Sequence, residues 1–556
     1  MDEGSSKVGA AGAVEGLITR RRLLAAAGAT ATAVLLAACA DPSPSPAAPM
    51  PSRATGGLAA LQTPGDPRPS PVPSGAPGSA AVAPRIPDNP VARENRLRGD
   101  PRWDGSRQPG GVEAYAGVAS VAPGDRIAIH ASGLGTVDVA WYRLGWYDGA
   151  GARLLAVDRG VALRPGPGPV RDGVTGLVEA GWQSVVDRPL PDAVPSGMLL
   201  AVLSDPGGSV VANVPVVLRP ASSDASPAPV LFVSAAATWQ AYNAWGGLDL
   251  YGNQAGVPVS ATRGERAAAV SFDRPYHLDG GAGYLRRWEL PFVRWMERTG
   301  RDVAYVADVD LERNPSLASG RSLIVMAGHP EYWSRPMRAT IEAAIATGTS
   351  VAFLTANEVY WQMRLEDGPA GPATRVVCYK RERLDPMTAI KPALATCRWR
   401  EPPVSDPEAP LVGQMYGAVV ARPADWVVES PAHWLYEGTR LAAGDRIANL
   451  VGQEFDTFFP DLAQPGTTIL ARGKVETTSP PEHDAMLWQG QPTHTATVYV
   501  AQSGATVLAA GTFQWSWAVD HYGDRAYHGI ATPYDPRVAR MTANLFDRLG
   551  DGPLAP

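Results

Sequence analysis

The stretch from residue 323 to residue 354 admits few folds. An apolar run at 323–326 leads into Gly328-His329-Pro330-Glu331-Tyr332-Trp333-Ser334, and Ser334 is placed to cap a helix over 335–347. Met337, Ile341, Ala344 and Ile345 share one face of that helix, Gly348 ends it, and a second apolar run follows at 350–354. A strand, a capped helix and a strand in such close succession predict a right-handed crossover between two parallel strands. Its loops open on the carboxyl edge of the sheet, where open α/β sheets hold ligands, which makes His329 and Glu331 candidates for chemistry. The structural alternative stands beside that one: Glu331 favours the positive end of the next helix, and His329 is a satisfied core histidine.

The same alternation extends in both directions. A strand at 230–234, a helix at 289–299 closed by Gly300 and a strand at 302–306 precede the crossover, so residues 227–556 are predicted as an α/β domain with a mostly parallel sheet. Further strands are expected at 412–420, 446–451, 467–472, 495–501 and 507–511, with a closing helix at 536–549. Upstream, short alternating runs at 126–131, 137–144, 198–204 and 210–218, bounded by Gly, Pro or Asp, predict a β-sandwich over 89–221. The aromatic run from Trp141 to Tyr147 is expected to be core and cross-strand pairs rather than a sugar-binding surface.

Residues 1–39 have the form of an export signal. Arg20-Arg21-Arg22 precede a short Ala/Leu-rich run, as in a twin-arginine leader, and Leu36-Ala37-Ala38-Cys39 resembles a bacterial lipoprotein cleavage site with Cys39 acylated. Residues 40–88, dominated by Pro, Ser, Ala and Gly, are expected to form a disordered tether. The net charge of −6 shows no basic groove, which argues against a nucleic-acid partner. In an exported body, Cys378 and Cys397 are expected to pair as a disulfide, with small buried thiols as the alternative.

Several chemistries are excluded. There is no Gly-x-Ser-x-Gly elbow and no His-Glu-x-x-His, and eight scattered histidines disfavour a three-His zinc site. Polar and aromatic groups do collect after the predicted strands: Thr238 to Asn243 and Tyr251 after the first, His329 and Glu331 after the next, Asn357 and Glu358 after 350–354. Phenolate and carboxylate oxygens at one sheet edge suit a hard cation, which can deprotonate a tyrosine. Each tyrosine taken singly also has an ordinary packing role.

Thr238-Trp239-Gln240-Ala241-Tyr242-Asn243, Gly328-His329-Pro330-Glu331-Tyr332-Trp333-Ser334, Asn357 with Tyr360-Trp361, Trp399-Arg400 and Gly452-Gln453-Glu454-Phe455-Asp456 form an ordered set. It resembles the large subunit of N,N-dimethylformamidase. The resemblance implies a β-sandwich joined to an α/β domain related to class I glutamine amidotransferases, and a mononuclear iron, Fe(III), held by two tyrosines and one glutamate. By position it implies Glu331, Tyr242 and Tyr251 as metal ligands, with Tyr332 and Tyr360 as substitutes for the tyrosines. His329, Asn357 and Glu454 are implied beside the metal as catalytic residues.

Two functions follow. One is an exported, lipid-anchored metallohydrolase that cleaves a C–N amide bond of a small molecule, alone or with a small subunit or further copies. The other is a cell-envelope lipoprotein that binds glycan or peptidoglycan on Trp239, Trp245, Trp333 and Trp361 without reaction. Each buried methylene of an acyl anchor contributes roughly 0.8 kcal/mol to membrane binding, so Cys39→Ser is expected to move the protein from the membrane to the soluble fraction on cell fractionation.

Overall fold

The computed structural model describes residues 88–105, 111–191, 193–221, 227–478, 491–524 and 532–551. The export signal, Cys39 and residues 40–87 of the tether lie outside these residues. No helix among the described residues is long and apolar enough to cross a membrane.

The chain is multidomain, with sheets of mixed orientation and few helices. Near the N-terminus, Glu113–Tyr115, Arg126–Ser132 and Ser184–Pro189 form a three-stranded antiparallel sheet. A five-stranded sheet runs in the order Ser120–Val121, Val210–Leu218, Gly197–Ser204, Thr136–Leu144 and Ala152–Ala162. Because successive side chains point to opposite faces, Ile127 and Ile129 of the first sheet meet Val137, Val139 and Trp141 of the second in one apolar core. Trp141, Tyr142 and Tyr147 are buried, as expected of packing aromatics.

A seven-stranded sheet carries the remainder. Its order is Val303–Ala307, Val230–Ser234, Leu323–Ala327, Ser350–Leu354, Thr506–Ala509, Thr493–Val500 and Thr468–Lys474. The first five strands are parallel, Thr493–Val500 runs antiparallel to them, and Thr468–Lys474 pairs antiparallel with Thr493–Val500. Its central strands are buried on both faces, which is why they read as unbroken apolar runs. The helix Arg335–Ala346 is capped as the sequence predicts, Met337 N–H donating to Ser334 Oγ at 3.2 Å. The helix Leu290–Thr299 ends at Gly300, whose φ of 70° satisfies the left-handed cap.

Three expectations need correction. Tyr332–Ser334 is a short strand, parallel to Trp361–Gly368 with Tyr332 opposite Trp361, in a second sheet completed by Gly371–Val377 and Ala269–Ser271. Three residues are too few for alternation to register in a sequence. The run at 412–420 contributes Met415–Val419, which pairs with Glu454–Thr457 outside the main sheet. Cys378 and Cys397 are both free and buried. Their Sγ atoms face the carbonyls of Gln362 at 3.7 Å and Ala395 at 4.0 Å, so each serves as a small core residue.

One buried ion pair joins the N-terminal sheets to the α/β part. Arg143 Nη1 and Nη2 donate to Glu297 Oε2 and Oε1, each at 2.9 Å, and Tyr305 Oη donates to Glu297 Oε1 at 2.8 Å. Both side chains are fully buried. Removing one partner strands the other charge, so Glu297→Ala should lower stability by about 3–5 kcal/mol, read as a fall in the urea midpoint. The double replacement of Arg143→Met with Glu297→Leu should retain more stability than the single change.

Candidate functional site

The carboxyl ends of the parallel strands deliver the site. After Val230–Ser234 the chain turns into the short helix Ala236–Ala241, and Tyr242 is its C-cap residue. Tyr284 Oη donates to the Tyr242 carbonyl at 2.7 Å, fixing that end. A loop then brings Tyr251 back, its N–H donating to Asp249 Oδ1 at 2.7 Å. The two tyrosine rings stack with centroids 4.4 Å apart.

After Leu323–Ala327 the chain passes through Gly328, φ 113°, where a Cβ would lie 3.1 Å from Glu289 Cγ. Beyond this glycine the Glu331 backbone is held on both sides. Its N–H donates to Thr238 Oγ1 at 3.0 Å, and its carbonyl accepts the N–H groups of Tyr360 and Trp361, each at 3.0 Å. The short strand missed in the sequence therefore aims this carboxylate. Tyr251 Oη donates to Glu331 Oε1 at 2.5 Å.

His329 Nε2 lies 3.4 Å from Glu331 Oε2 and 3.7 Å from Glu454 Oε2. Its ring packs on Phe513 at 4.2 Å and on Tyr242 at 5.4 Å between centroids. Burial, with the nearby Lys380 charge, pushes its pKa down to about 3, so the imidazole between the two carboxyls is neutral. Asn357 stands after Ser350–Leu354 with φ 53°, its N–H donating to Asp456 Oδ1 at 2.8 Å. The Asn357 side chain faces Glu454 and favours its ionised form, against the burial that raises its pKa. Glu454 and Asp456 are two apart on one strand and so address Asn357 together.

Tyr242, Tyr251, His329, Glu331, Asn357 and Glu454 are thus brought together. Of the substitute tyrosines, Tyr332 adjoins the group, its ring 6.4 Å edge-on to Tyr251, whereas Tyr360 packs between Trp361 and Tyr416. The tryptophans of the glycan-binding alternative do not form a surface. Trp239, Trp245 and Trp333 are buried in the core and Trp361 is half-buried, because apolar neighbours cover them from both sides.

Lys380 escaped notice in the sequence. Its Nζ sits over the Tyr251 ring, 2.9 Å from the centroid, and burial lowers its pKa to about 7. A signal was present: Lys7, Lys380, Lys391 and Lys474 are the only lysines among 49 basic residues. Phe513 was also missed, since it lies in no run with a readable period, and Gln453 stands in the family-like motif without a role assigned to it.

The donor set fits a cation. Glu331 Oε2, His329 Nε2, Glu454 Oε2, Asn357 Oδ1 and Tyr332 Oη are all buried without a hydrogen-bond partner. Burial, and after it the Glu331 charge, holds the phenols of Tyr242 and Tyr251 well above their usual pKa, so they ionise only beside a strong positive charge. Among the described residues no three or more of His, Cys, Asp and Glu group as metal ligands; a Tyr–Tyr–Glu set has a different composition.

A cavity of about 30 Å³ adjoins these groups, with space for roughly two water-sized groups. Trp239, Tyr284, Trp288, Phe513 and Val419 supply its apolar walls, and His329, Glu454 and Gln453 supply polar groups. A hydrophobic slot closed by a carboxylate, a neutral imidazole and a carboxamide is suited to polarising and hydrolysing a small polar group.

The chain belongs to the N,N-dimethylformamidase beta subunit-like family, whose C-terminal model matches residues 138–528. No curated protein matches it.

Beneath Gly328 lies a second buried carboxyl. Glu289 Oε1 accepts the Ala235 N–H at 2.9 Å, and burial raises its pKa from 4.5 to about 8. A folded-state pKa above the unfolded one means the stabilising protonated form is fully present below pH 4.5 and lost as pH rises through 8. Stability should therefore fall over that window, and Glu289→Gln should flatten the fall in denaturation curves measured from pH 5 to about pH 9.

Proposed function

We propose that the protein is an exported, membrane-tethered, metal-dependent hydrolase of a C–N amide bond, built as a β-sandwich followed by a class I glutamine amidotransferase-like α/β domain. The observation that carries this is the cluster of Tyr242, Tyr251 and Glu331 with His329, Glu454 and Asn357 beside a small cavity that Tyr242, His329 and Glu454 line, in a family named for an amidase. The leader before residue 40 supports the address, through a lipid on Cys39.

Tyr242, Tyr251 and Glu331 would hold a single Fe(III) ion. Bound there, the ion supplies a Lewis acid for the substrate carbonyl. The remaining work falls to the chain. Glu454, whose pKa burial and the Glu331 charge hold well above the usual range and which would be ionised beside the cation, accepts the proton of the attacking water as general base and returns it to the departing amine nitrogen as the C–N bond breaks. The neutral His329 orients Glu331 and Glu454, since its Nε2 lies between them. Asn357 turns its carboxamide N–H from Glu454 to the developing oxyanion. Trp239, Trp288 and Phe513 exclude water and leave space only for a small acyl or amine group.

Protein purified without chelator should hold stoichiometric iron and show a visible tyrosinate-to-metal colour. Glu331→Ala should lose both, because it removes the carboxylate charge from the set. Asn357→Ala should keep the colour while kcat on small formamides and acetamides falls about 10²–10³-fold. Colourless, iron-free wild type, or coloured wild type that turns over none of these amides, would reject the proposal.

A further inference from the structure

The loop that follows Ser350–Leu354 holds its backbone in two unfavourable places, one on each side of Glu358. Asn357 has φ 53° and Val359 has φ 55°. Asparagine tolerates this left-handed region, but the branched Cβ of valine is crowded in it. Ties to neighbouring loops keep it there: Asn357 N–H donates to Asp456 Oδ1 at 2.8 Å, Val359 N–H to the Pro330 carbonyl at 3.2 Å and Tyr360 N–H to the Glu331 carbonyl at 3.0 Å. Strain of this kind persists where the surroundings over-determine it, and it clusters where a side chain must be aimed. The side chain between the two strained residues is that of Glu358, only 3 % exposed.

Glu358 faces Asp456. Neither oxygen of Glu358 receives a hydrogen bond from another described residue. Asp456 is fixed more firmly: its N–H donates to the Gly511 carbonyl at 3.2 Å, its Oδ1 takes the Asn357 N–H, and its Oδ2 has the Gln414 carboxamide at 3.5 Å. The charged groups around the pair are Glu454, Glu408 and Arg400. Arg400 is held by Glu408 through bonds of 2.8 to 3.1 Å, which matches its charge. Two carboxyls buried face to face without a cation of their own cannot both ionise, so one keeps a proton. Burial and the Asp456 charge raise the Glu358 pKa well above the carboxylate range, whereas burial pushes Asp456 up to about 6, and the proton therefore belongs to Glu358.

We infer that Glu358 is a carboxylic acid that donates its O–H to Asp456, and that this shared proton holds Asp456 on the Asn357 N–H, which makes Glu358 and Asp456 positioning residues for the Asn357 carboxamide. The inference rests on the amide-hydrolase reading, in which that carboxamide meets the oxyanion. Glu454 and Asp456 leave one strand on the same face, so one carboxyl faces the Asn357 side chain while the other fixes its backbone. Loss of the Glu358 proton would set two negative charges against each other in a dry site. The strained loop would then relax and carry Asn357 away from Glu454. The working form is the protonated one, so it is lost as pH rises through the upper of the pair's two titrations.

The test measures kcat and KM for small formamides against pH, using full-length protein purified without chelator. Wild type should lose kcat at alkaline pH with KM little changed. Glu358→Gln keeps the shape and offers Asp456 an N–H that does not titrate, so it should hold kcat within about threefold of wild type at neutral pH and abolish the alkaline fall. Glu358→Ala should lower kcat by about 10- to 100-fold at neutral pH. The infrared difference spectrum between wild type and Glu358→Gln reads the proton without turnover: a carboxylic-acid carbonyl band should be present at neutral pH and vanish over the range in which kcat falls. If no amide is turned over but the band is present and titrates, the shared proton stands and the hydrolase reading fails. Absence of the band at neutral pH, an alkaline fall unchanged in Glu358→Gln, or a Glu358→Gln protein that is as slow as Glu358→Ala or does not fold, overturns the inference.

Discussion

Ionisable groups buried at the end of an apolar sheet must be held against the pull of water, and much of the second half of the chain is arranged around that constraint. The parallel strands supply an unbroken hydrophobic floor, and the loops beyond them supply backbone N–H groups aimed at carboxyls. Asp456 takes the N–H of Asn357, Glu289 that of Ala235, and Asp308 those of Ala237 and Val309. Lys380 brings a positive charge beside Glu331, and Arg400 pairs with Glu408 through bonds of 2.8 to 3.1 Å. The site retains more buried carboxyl groups than buried cations, an electrostatic imbalance that favours a positively charged guest.

One helix links the outer joint to this inner cluster. Leu290–Thr299 carries Glu297, the partner of Arg143, towards one end, and the π turn Leu285–Glu289 at its other end carries Trp288 and Glu289 beneath Gly328. The N-terminal sheets therefore brace the element that forms the floor of the cavity. Trp288 stacks on Trp517 at 5.4 Å and meets Phe513 edge-on, so that floor continues through aromatic contacts to the wall touching His329.

What the sequence makes legible is whatever has a period or a cap. The strands ending at Ser234, Ala327 and Leu354 and the Ser334-capped helix follow from apolar runs and punctuation, and they are enough to place His329, Glu331 and Asn357 on one sheet edge. The tyrosines required the family resemblance, because Tyr242 and Tyr251 lie in a loop with no periodicity. Lys380 and Phe513 were hidden for another reason. Each reaches the site from a distant part of the chain by tertiary packing, which local pattern does not encode. The expected disulfide failed on similar grounds: closeness in sequence and an exported address carry no information about where two thiols point.

Gly328 leaves this chain little freedom to evolve at its floor. With φ at 113°, and Glu289 Cγ and Trp288 Cβ crowding any added carbon at 3.1 and 3.3 Å, almost any replacement would displace the neighbours that set His329 and Glu331. Divergence among descendants should then accumulate at the rim, where Val419 and the half-buried Gln453 border the cavity outside the main sheet. A lineage built on this scaffold can change its diet far more readily than its chemistry.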